Sequence, residues 1–268
     1  MGRVLYGMPT LIECDSLEKT IKLCKELKLD FIEINMNLPQ YQKRNMNINI
    51  MKNCILNDNI FFTIHLDENL RVCDFNEDVA QAYIDTVLFT IDIAKELNIA
   101  ILNMHMDKGV YFTLPNKKIY LFEKYRDIYL NNLIKFRNLC EKEIGKSNIK
   151  ICIENSDGYT DFIKESINIL LESDVFALTF DIGHDYCIGN KDVLFINENI
   201  NRLTHMHIHD ATIYENHLPL GKGEIDIKEK INFAIKNNCT IVLETKTISG
   251  LRESVNYIEK YKNEIFSY

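Results

Sequence analysis

The sequence predicts an α/β protein: a single (β/α)8 TIM barrel across residues 1–268, with its active site at the C-terminal ends of the strands. Short runs rich in β-branched and aromatic residues alternate eight times with longer segments of helical periodicity. No glycine- or proline-rich linker interrupts the alternation, and 268 residues suit one barrel domain. Polar residues close nearly every apolar run, whereas an open doubly wound sheet would concentrate its site at one switch point.

Each element has a local signal. Val4 to Met8 is the first expected strand, and the helix from Ser16 to Leu29 follows, with Leu17, Ile21, Cys24 and Leu27 on one apolar stripe. Phe31 to Asn35 is strand two. A helix near Asn45 to Leu56 leads to strand three at Ile60 to His65, and a long helix from Glu77 to Leu97 leads to strand four at Ile99 to His105. The segment Lys118 to Ile144 reads as helix throughout, with Tyr125, Ile128, Leu133, Phe136 and Leu139 spaced for burial. Strand five is Ile149 to Glu154, and a helix from Asp161 to Leu171 precedes strand six at Val175 to Asp181. A short helix near Val193 to Asn199 leads to strand seven, Leu203 to His209. The loop through Gly221 and Gly223 opens into a helix from Ile227 to Asn237, then strand eight at Thr240 to Glu244 and a closing helix from Leu251 to Tyr261.

Composition narrows the function. The formal net charge is −8 and no basic stripe is present, which argues against a nucleic-acid partner. Eight cysteines occur without a Cys-x-x-Cys pair, and Cys24, Cys152 and Cys239 sit inside apolar segments, as buried thiols do in a reducing cytoplasm. The chain opens directly on Arg3-Val4-Leu5-Tyr6-Gly7 without a signal-peptide core, and no apolar run approaches the ~20 residues of a membrane span. A soluble, cytoplasmic protein is expected.

The polar strand ends carry the chemistry. All seven histidines fall where an apolar run is ending or in the loop just after one: His65, His105, His184, His205, His207, His209 and His217. Glu33, Glu154, Asp181 and Glu244 share that kind of address. Glu154, Asp181, His207 and Glu244 recur at close to one strand-helix unit, on strands five to eight, so a closed barrel brings one ligand per strand around a ring. Three oxygens and one imidazole suit Mn²⁺, Mg²⁺, Co²⁺ or Zn²⁺. His205 and His209 share the parity of His207, so His205 is expected below the metal as a satisfied core histidine and His209 at the rim, facing substrate or solvent.

The motifs Glu154-Asn155, Phe180-Asp181-Ile182-Gly183-His184, His207-Ile208-His209-Asp210, the run from His217 to Asp226 and the terminal-strand Glu244 together resemble the xylose-isomerase-like barrel superfamily. Within it they are most similar to the sugar-phosphate isomerase/epimerase branch, over nearly the whole chain. The resemblance implies one divalent metal on Glu154, Asp181, His207 and Glu244, with hydroxyls of a sugar or sugar phosphate as further ligands. It implies an isomerase or epimerase working through an enediolate, with Glu154 and Glu244 as the acid/base pair. His184 would touch a substrate oxygen and Glu33 would orient hydroxyls. His209 and Lys222 are further candidate substrate contacts, and Lys108 and Lys246 stand with Lys222 near strand ends that could meet a phosphate.

The same superfamily contains endonuclease IV-like AP endonucleases. Their trinuclear zinc site would be matched by Glu154, Asp181, His207 and Glu244 together with His65, His105, His184, Glu215 and His217, giving up to three zinc ions. Glu215 departs from that pattern, which has aspartate there. The nucleases follow the first histidine with Ala-Pro-Tyr, whereas His65-Leu66-Asp67-Glu68 puts an acid where the DNA-facing tyrosine would be, and Asp181-Ile182-Gly183-His184 replaces their Asp-Thr-Cys-His. Tyr41, Lys43 and Arg44 remain as a modest phosphate contact. A homodimer contact is expected from the exposed tyrosines and phenylalanines of the segment Tyr111 to Tyr129.

Overall fold

The computed structural model describes residues 4–266, with side chains through residue 260. Arg3, which opens the expected first run, and the Tyr261 side chain lie outside the described residues. The strands are β1 (Tyr6–Pro9), β2 (Phe31–Asn35), β3 (Phe61–His65), β4 (Ile101–His105), β5 (Tyr111–Leu114), β6 (Lys117–Tyr120), β7 (Lys150–Glu154), β8 (Phe176–Asp181), β9 (Leu203–Ile208) and β10 (Thr240–Leu243). The helices are α1 (Leu17–Glu26), α2 (Ile48–Asp58), α3 (Glu77–Leu97), α4 (Leu121–Lys124), α5 (Arg126–Ile144), α6 (Asp161–Leu171), α7 (Ile182–Cys187), α8 (Val193–Glu198), α9 (Ile227–Lys236) and α10 (Ile248–Phe266). Eight strands close in parallel in the order β1-β10-β9-β8-β7-β4-β3-β2, with helices between them. The expected (β/α)8 barrel is therefore the observed fold.

Helix boundaries follow cap chemistry. Ser16 accepts from the Lys19 N–H and Asn47 from the Ile50 N–H at the starts of α1 and α2. Asn59 and Asn98 end α2 and α3 in the left-handed region, which asparagine tolerates.

The largest departure lies between β4 and β7. Lys118 to Tyr120 are not helical: β5 and β6 pair as an antiparallel hairpin, with Tyr111 opposite Tyr120 and Leu114 opposite Lys117. Aromatic and β-branched residues on both sides of Pro115 and Asn116 favour that pairing over a helix start. The apolar stripe of α5 also differs from the expectation. Tyr129, Leu130, Leu133, Phe136, Cys140 and Ile144 are buried, whereas Tyr125, Ile128 and Leu139 are exposed. The aromatic residues of Tyr111 to Tyr129 are correspondingly split, because Phe122 and Tyr129 belong to the core.

Parity divides each barrel strand into two chemistries. Ile32, Ile34, Phe62, Ile64, Leu102, Met104, Ile151, Ile153, Leu178, Phe180, Met206, Ile208, Ile241 and Leu243 join the main hydrophobic core. Their sequence neighbours form a second set, and strand register sets these side by side: Phe31 with Phe61, Glu33 with Thr63, Cys152 with Asn103, Glu154 with His105, and Asp181 with His207. The lower part of this set is apolar. Phe31 and Phe61 stack at 4.9 Å, and Ile101, Cys152 and Ala177 form a small cluster separate from the main core. Gly7 on β1 is required here, since a Cβ would fall 2.4 Å from the Phe31 ring. Above this floor the set becomes polar, and it ends in the candidate site.

Candidate active site

Glu154 ends β7, Asp181 ends β8, His207 lies within β9, and Glu244 directly follows β10. One ligand atom from each of the four lies within 4.8 Å of the others. His207 Nδ1 is 3.2 Å from Glu154 Oε1, 3.1 Å from Glu244 Oε2 and 3.9 Å from Asp181 Oδ2. Three carboxylates thus converge on one ring nitrogen in a buried place. Burial opposes charge on His207, yet the surrounding acids hold its imidazole well above its usual range. In return His207 holds Glu154 and Glu244 well below the carboxylate range, against their own burial. Glu244 Oε2 is buried without a hydrogen-bond donor. An unpaired buried oxygen beside two more carboxylates and an imidazole is a donor set that fits a divalent cation.

A second group shares Glu154. His65 Nε2 lies 3.3 Å and His105 Nε2 lies 3.2 Å from Glu154 Oε2, and Asn103 Nδ2 also donates to that oxygen. His65 Nδ1 is 2.7 Å from the Leu66 carbonyl, so its proton belongs there and Nε2 faces the carboxylate. Burial lowers the basicity of His65, but hydrogen bonding and charge from Glu154 outweigh it and raise the pKa to about 9. The ligand atoms of His65, His105 and Glu154 also lie within 4.8 Å of one another.

The third group is incomplete. His184, His209 and His217 approach one another, but both nitrogens of His209 are engaged. Its Nδ1 accepts from the His217 backbone N–H at 2.8 Å, and its Nε2 is 3.1 Å from Asp181. Glu215 is exposed and belongs to none of the groups, so the acid of the expected third zinc site is not brought in. His217 adopts φ 54°, a conformation uncommon outside glycine, and burial lowers its pKa to about 4.

These residues open on a cavity of about 590 Å³ lined by His65, His105, Glu154, His184, His217 and Glu244, with Lys108 and Lys246 at its wall. Lys246 Nζ is 2.7 Å from Glu244 Oε1, and Lys108 donates to the Asp157 carbonyl at 2.9 Å. Three expected substrate contacts fall elsewhere. Glu33 is buried inside the barrel, its carboxylate turned to Thr63, His205 and His207. His209 is buried rather than at the rim, because its ring lies over Gly183, where a Cβ would come within 1.9 Å of it. Lys222 is exposed and faces Glu253 at 3.5 Å, away from the cavity. His205, by contrast, is the satisfied core histidine that strand parity predicts, 2.6 Å from Thr240 Oγ1. Tyr41 is buried and Lys43 lies over the Phe89 ring, so neither forms a phosphate patch.

The wall also contains residues that sequence reasoning missed: Glu68, Arg71, Asp107 and, from the hairpin, Tyr111 and Tyr120. Arg71 Nε is held 2.5 Å from Asp107 Oδ2. Their only sequence signal is a place in the loops after β3 and β4, where barrel sites are built.

The xylose isomerase-like TIM barrel family model matches residues 21–261. The chain is a xylose isomerase-like TIM barrel. No curated protein matches its sequence. Among solved structures, this xylose isomerase-like barrel is similar to a D-tagatose 3-epimerase-like protein, at 21% identity and TM-score 0.80 over 98% of this chain and 99% of that one. It is also similar to the E. coli 3-keto-D-glucoside 4-epimerase in its apo form, at 15% identity and TM-score 0.75 over 97% and 100%. A third similar structure is the IolI protein with a bound zinc atom, at 14% identity and TM-score 0.70 over 98% of each chain. In this xylose isomerase-like barrel, much of the run from His217 to Asp226 serves its own loop. Asp210 accepts from the backbone N–H groups of Ala211, Gly221 and Ile225, and that clamp presents His217 to the cavity.

Proposed function

We propose that the chain, as one catalytic domain, is a divalent-metal-dependent isomerase or epimerase of a sugar or sugar phosphate. The observation that carries this reading is the convergence of Glu154, Asp181, His207 and Glu244 beside the 590 Å³ cavity. The similar folds that are epimerases or epimerase-like support it, and the zinc atom of the IolI structure supports the metal. Glu154, Asp181, His207 and Glu244 would hold the ion, which when bound lends positive charge to a carbonyl and its neighbouring hydroxyl and so acidifies the C–H between them.

The protein's own groups supply the rest. Glu154 and Glu244 stay ionised in the buried site and act as the acid/base pair for removing and returning that proton. They differ in surroundings: Glu154 Oε2 is fenced by Asn103, His65 and His105, whereas Glu244 Oε2 has no donor. His184 and His217 offer hydrogen bonds to substrate oxygens from the cavity wall. Arg71 and Lys108 supply the cationic contacts that a phosphate needs.

Glu154→Gln and Glu244→Gln keep shape and remove the base. Assayed on ketoses and ketose phosphates with Mn²⁺, Co²⁺, Mg²⁺ or Zn²⁺, each should lower kcat by about 10²–10⁴-fold. Unchanged turnover in both variants overturns the reading.

A second reading rests on the group of His65, His105 and Glu154, which is richer in ligands than one ion requires. There the site is a multinuclear zinc phosphoesterase, related in chemistry to the AP endonucleases, with water as nucleophile. Elemental analysis separates the two. About one ion per chain, insensitive to His65→Ala, supports the isomerase, and about two zinc ions with one lost in His65→Ala supports the hydrolase.

A further inference from the structure

We infer that Glu33 is a positioning residue: with a cation bound, its carboxylate beside Nε2 of His207 would hold the ring's proton on Nε2 and so leave Nδ1 as the ligating nitrogen facing Glu154, Asp181 and Glu244. This rests on the reading that His207 is a metal ligand. Glu33 comes from β2, which is separated from β9 in the barrel order by β1 and β10, so its side chain crosses the barrel interior to reach β9. It is 2% exposed, and Oε1 lies 2.9 Å from His207 Nε2. That contact is close but bent, since Nε2 has no aligned hydrogen bond, whereas Nδ1 is in hydrogen-bond geometry with Glu154 Oε1 at 3.2 Å, a contact that a bound cation would replace.

The other oxygen is fully used. Glu33 Oε2 accepts from Thr63 Oγ1 at 3.0 Å and lies 3.1 Å from His205 Nε2, while His205 Nδ1 sits 2.6 Å from Thr240 Oγ1. An ionised carboxylate only accepts, so each imidazole nitrogen that faces Glu33 must carry a proton. The acids around metal-free His207 favour its charged, doubly protonated form, but a metal-ligating imidazole is neutral and carries one proton. Placed on Nε2 of His207, it leaves the Nδ1 lone pair toward the three carboxylates, and the Thr63 and Thr240 hydroxyls keep Glu33 and His205 from turning away. A carboxylate that fixes tautomer and ring orientation behind a ligating histidine is a recurrent way of raising metal affinity. The 2% exposure also explains why Glu33 does not meet substrate: it lies beneath the site and acts through His207.

Two measurements test the role. In the zinc-loaded wild-type protein, long-range ¹H–¹⁵N NMR should find the His207 proton on Nε2; a proton on Nδ1 overturns the inference. Titration of the metal-free protein with Co²⁺ by calorimetry should show affinity lowered about 10–100-fold in Glu33→Leu and in the conservative Glu33→Gln, which keeps the shape if leucine does not fold. His207→Asn should abolish binding. If His207→Asn binds Co²⁺ like wild type, the metal reading itself fails. If His207→Asn loses binding while both Glu33 variants bind like wild type, only the role of Glu33 fails.

Discussion

Gly183 shows how little room the residues beside the site have. The His209 Cε1 atom would lie 1.9 Å from an added Cβ, and His209 is pinned between Asp181 and the His217 backbone. Gly183→Ala should therefore destabilise the fold by about 1–3 kcal/mol through overpacking, read by urea unfolding, and should weaken metal binding by displacing Asp181. A variant as stable as wild type would show that the ring can move. His65 gives a pH signature at the same scale. In the metal-free protein its pKa is about 9 against an ordinary 6.5, so the charged pair with Glu154 adds stability that is fully present below pH 6.5 and is lost as pH rises through 9. Metal-free protein should melt lower at pH 9.5 than at pH 6.5, and His65→Asn should flatten that difference. The four converging residues were legible because each closes an apolar run. Glu33 and His209 were misplaced because sequence gives a strand address but not depth, which separates a substrate contact from a group beneath the site, and Lys222 because nothing in a loop sequence says which way an exposed lysine turns.

Among elements, β9 was the most readable and the hairpin the least. Alternation of His205, His207 and His209 with apolar residues fixes which face each occupies, and the structure keeps that order. The hairpin was hidden because its Lys and Tyr positions also fit a helical period, and cross-strand pairing of Tyr111 with Tyr120 is a contact that no helical window registers. It leaves Val110, Tyr111, Phe112 and Leu114 exposed. We propose this face as the homodimer contact. Phe112→Ser, together with Leu114→Ser, should halve the mass measured by light scattering if the protein is dimeric, whereas equal masses for variant and wild type remove the idea. Lining the cavity with Tyr111 and Tyr120 also makes the hairpin a wall of the site, so such a contact would reach substrate binding.

For the whole molecule, the eight-fold strand-helix alternation was plain because barrel strands are short, apolar on one parity and separated by well-capped helices. No helix among the described residues is long and apolar enough to cross a membrane. The thiols report on the intactness of this fold. Burial pushes Cys24, Cys73, Cys152 and Cys239 up to about 12 from an ordinary 9.0, so the folded chain keeps protons that the unfolded chain releases. Their contribution to stability is full below pH 9 and is lost as pH rises toward 12, at about 1.4 kcal/mol per pH unit for each thiol. Urea midpoints should accordingly fall steeply above pH 9, and a flat profile to pH 11 would contradict the burial. The stacked Phe31 and Phe61, with Ile101, Cys152 and Ala177, close the lower end of the barrel interior. The site is therefore a blind well: under the proposed isomerase reading, reactant and product, isomers of equal bulk, would use the same doorway. Each would then compete with the other for entry, so that net flux would follow their ratio in solution and accumulating product would slow its own formation.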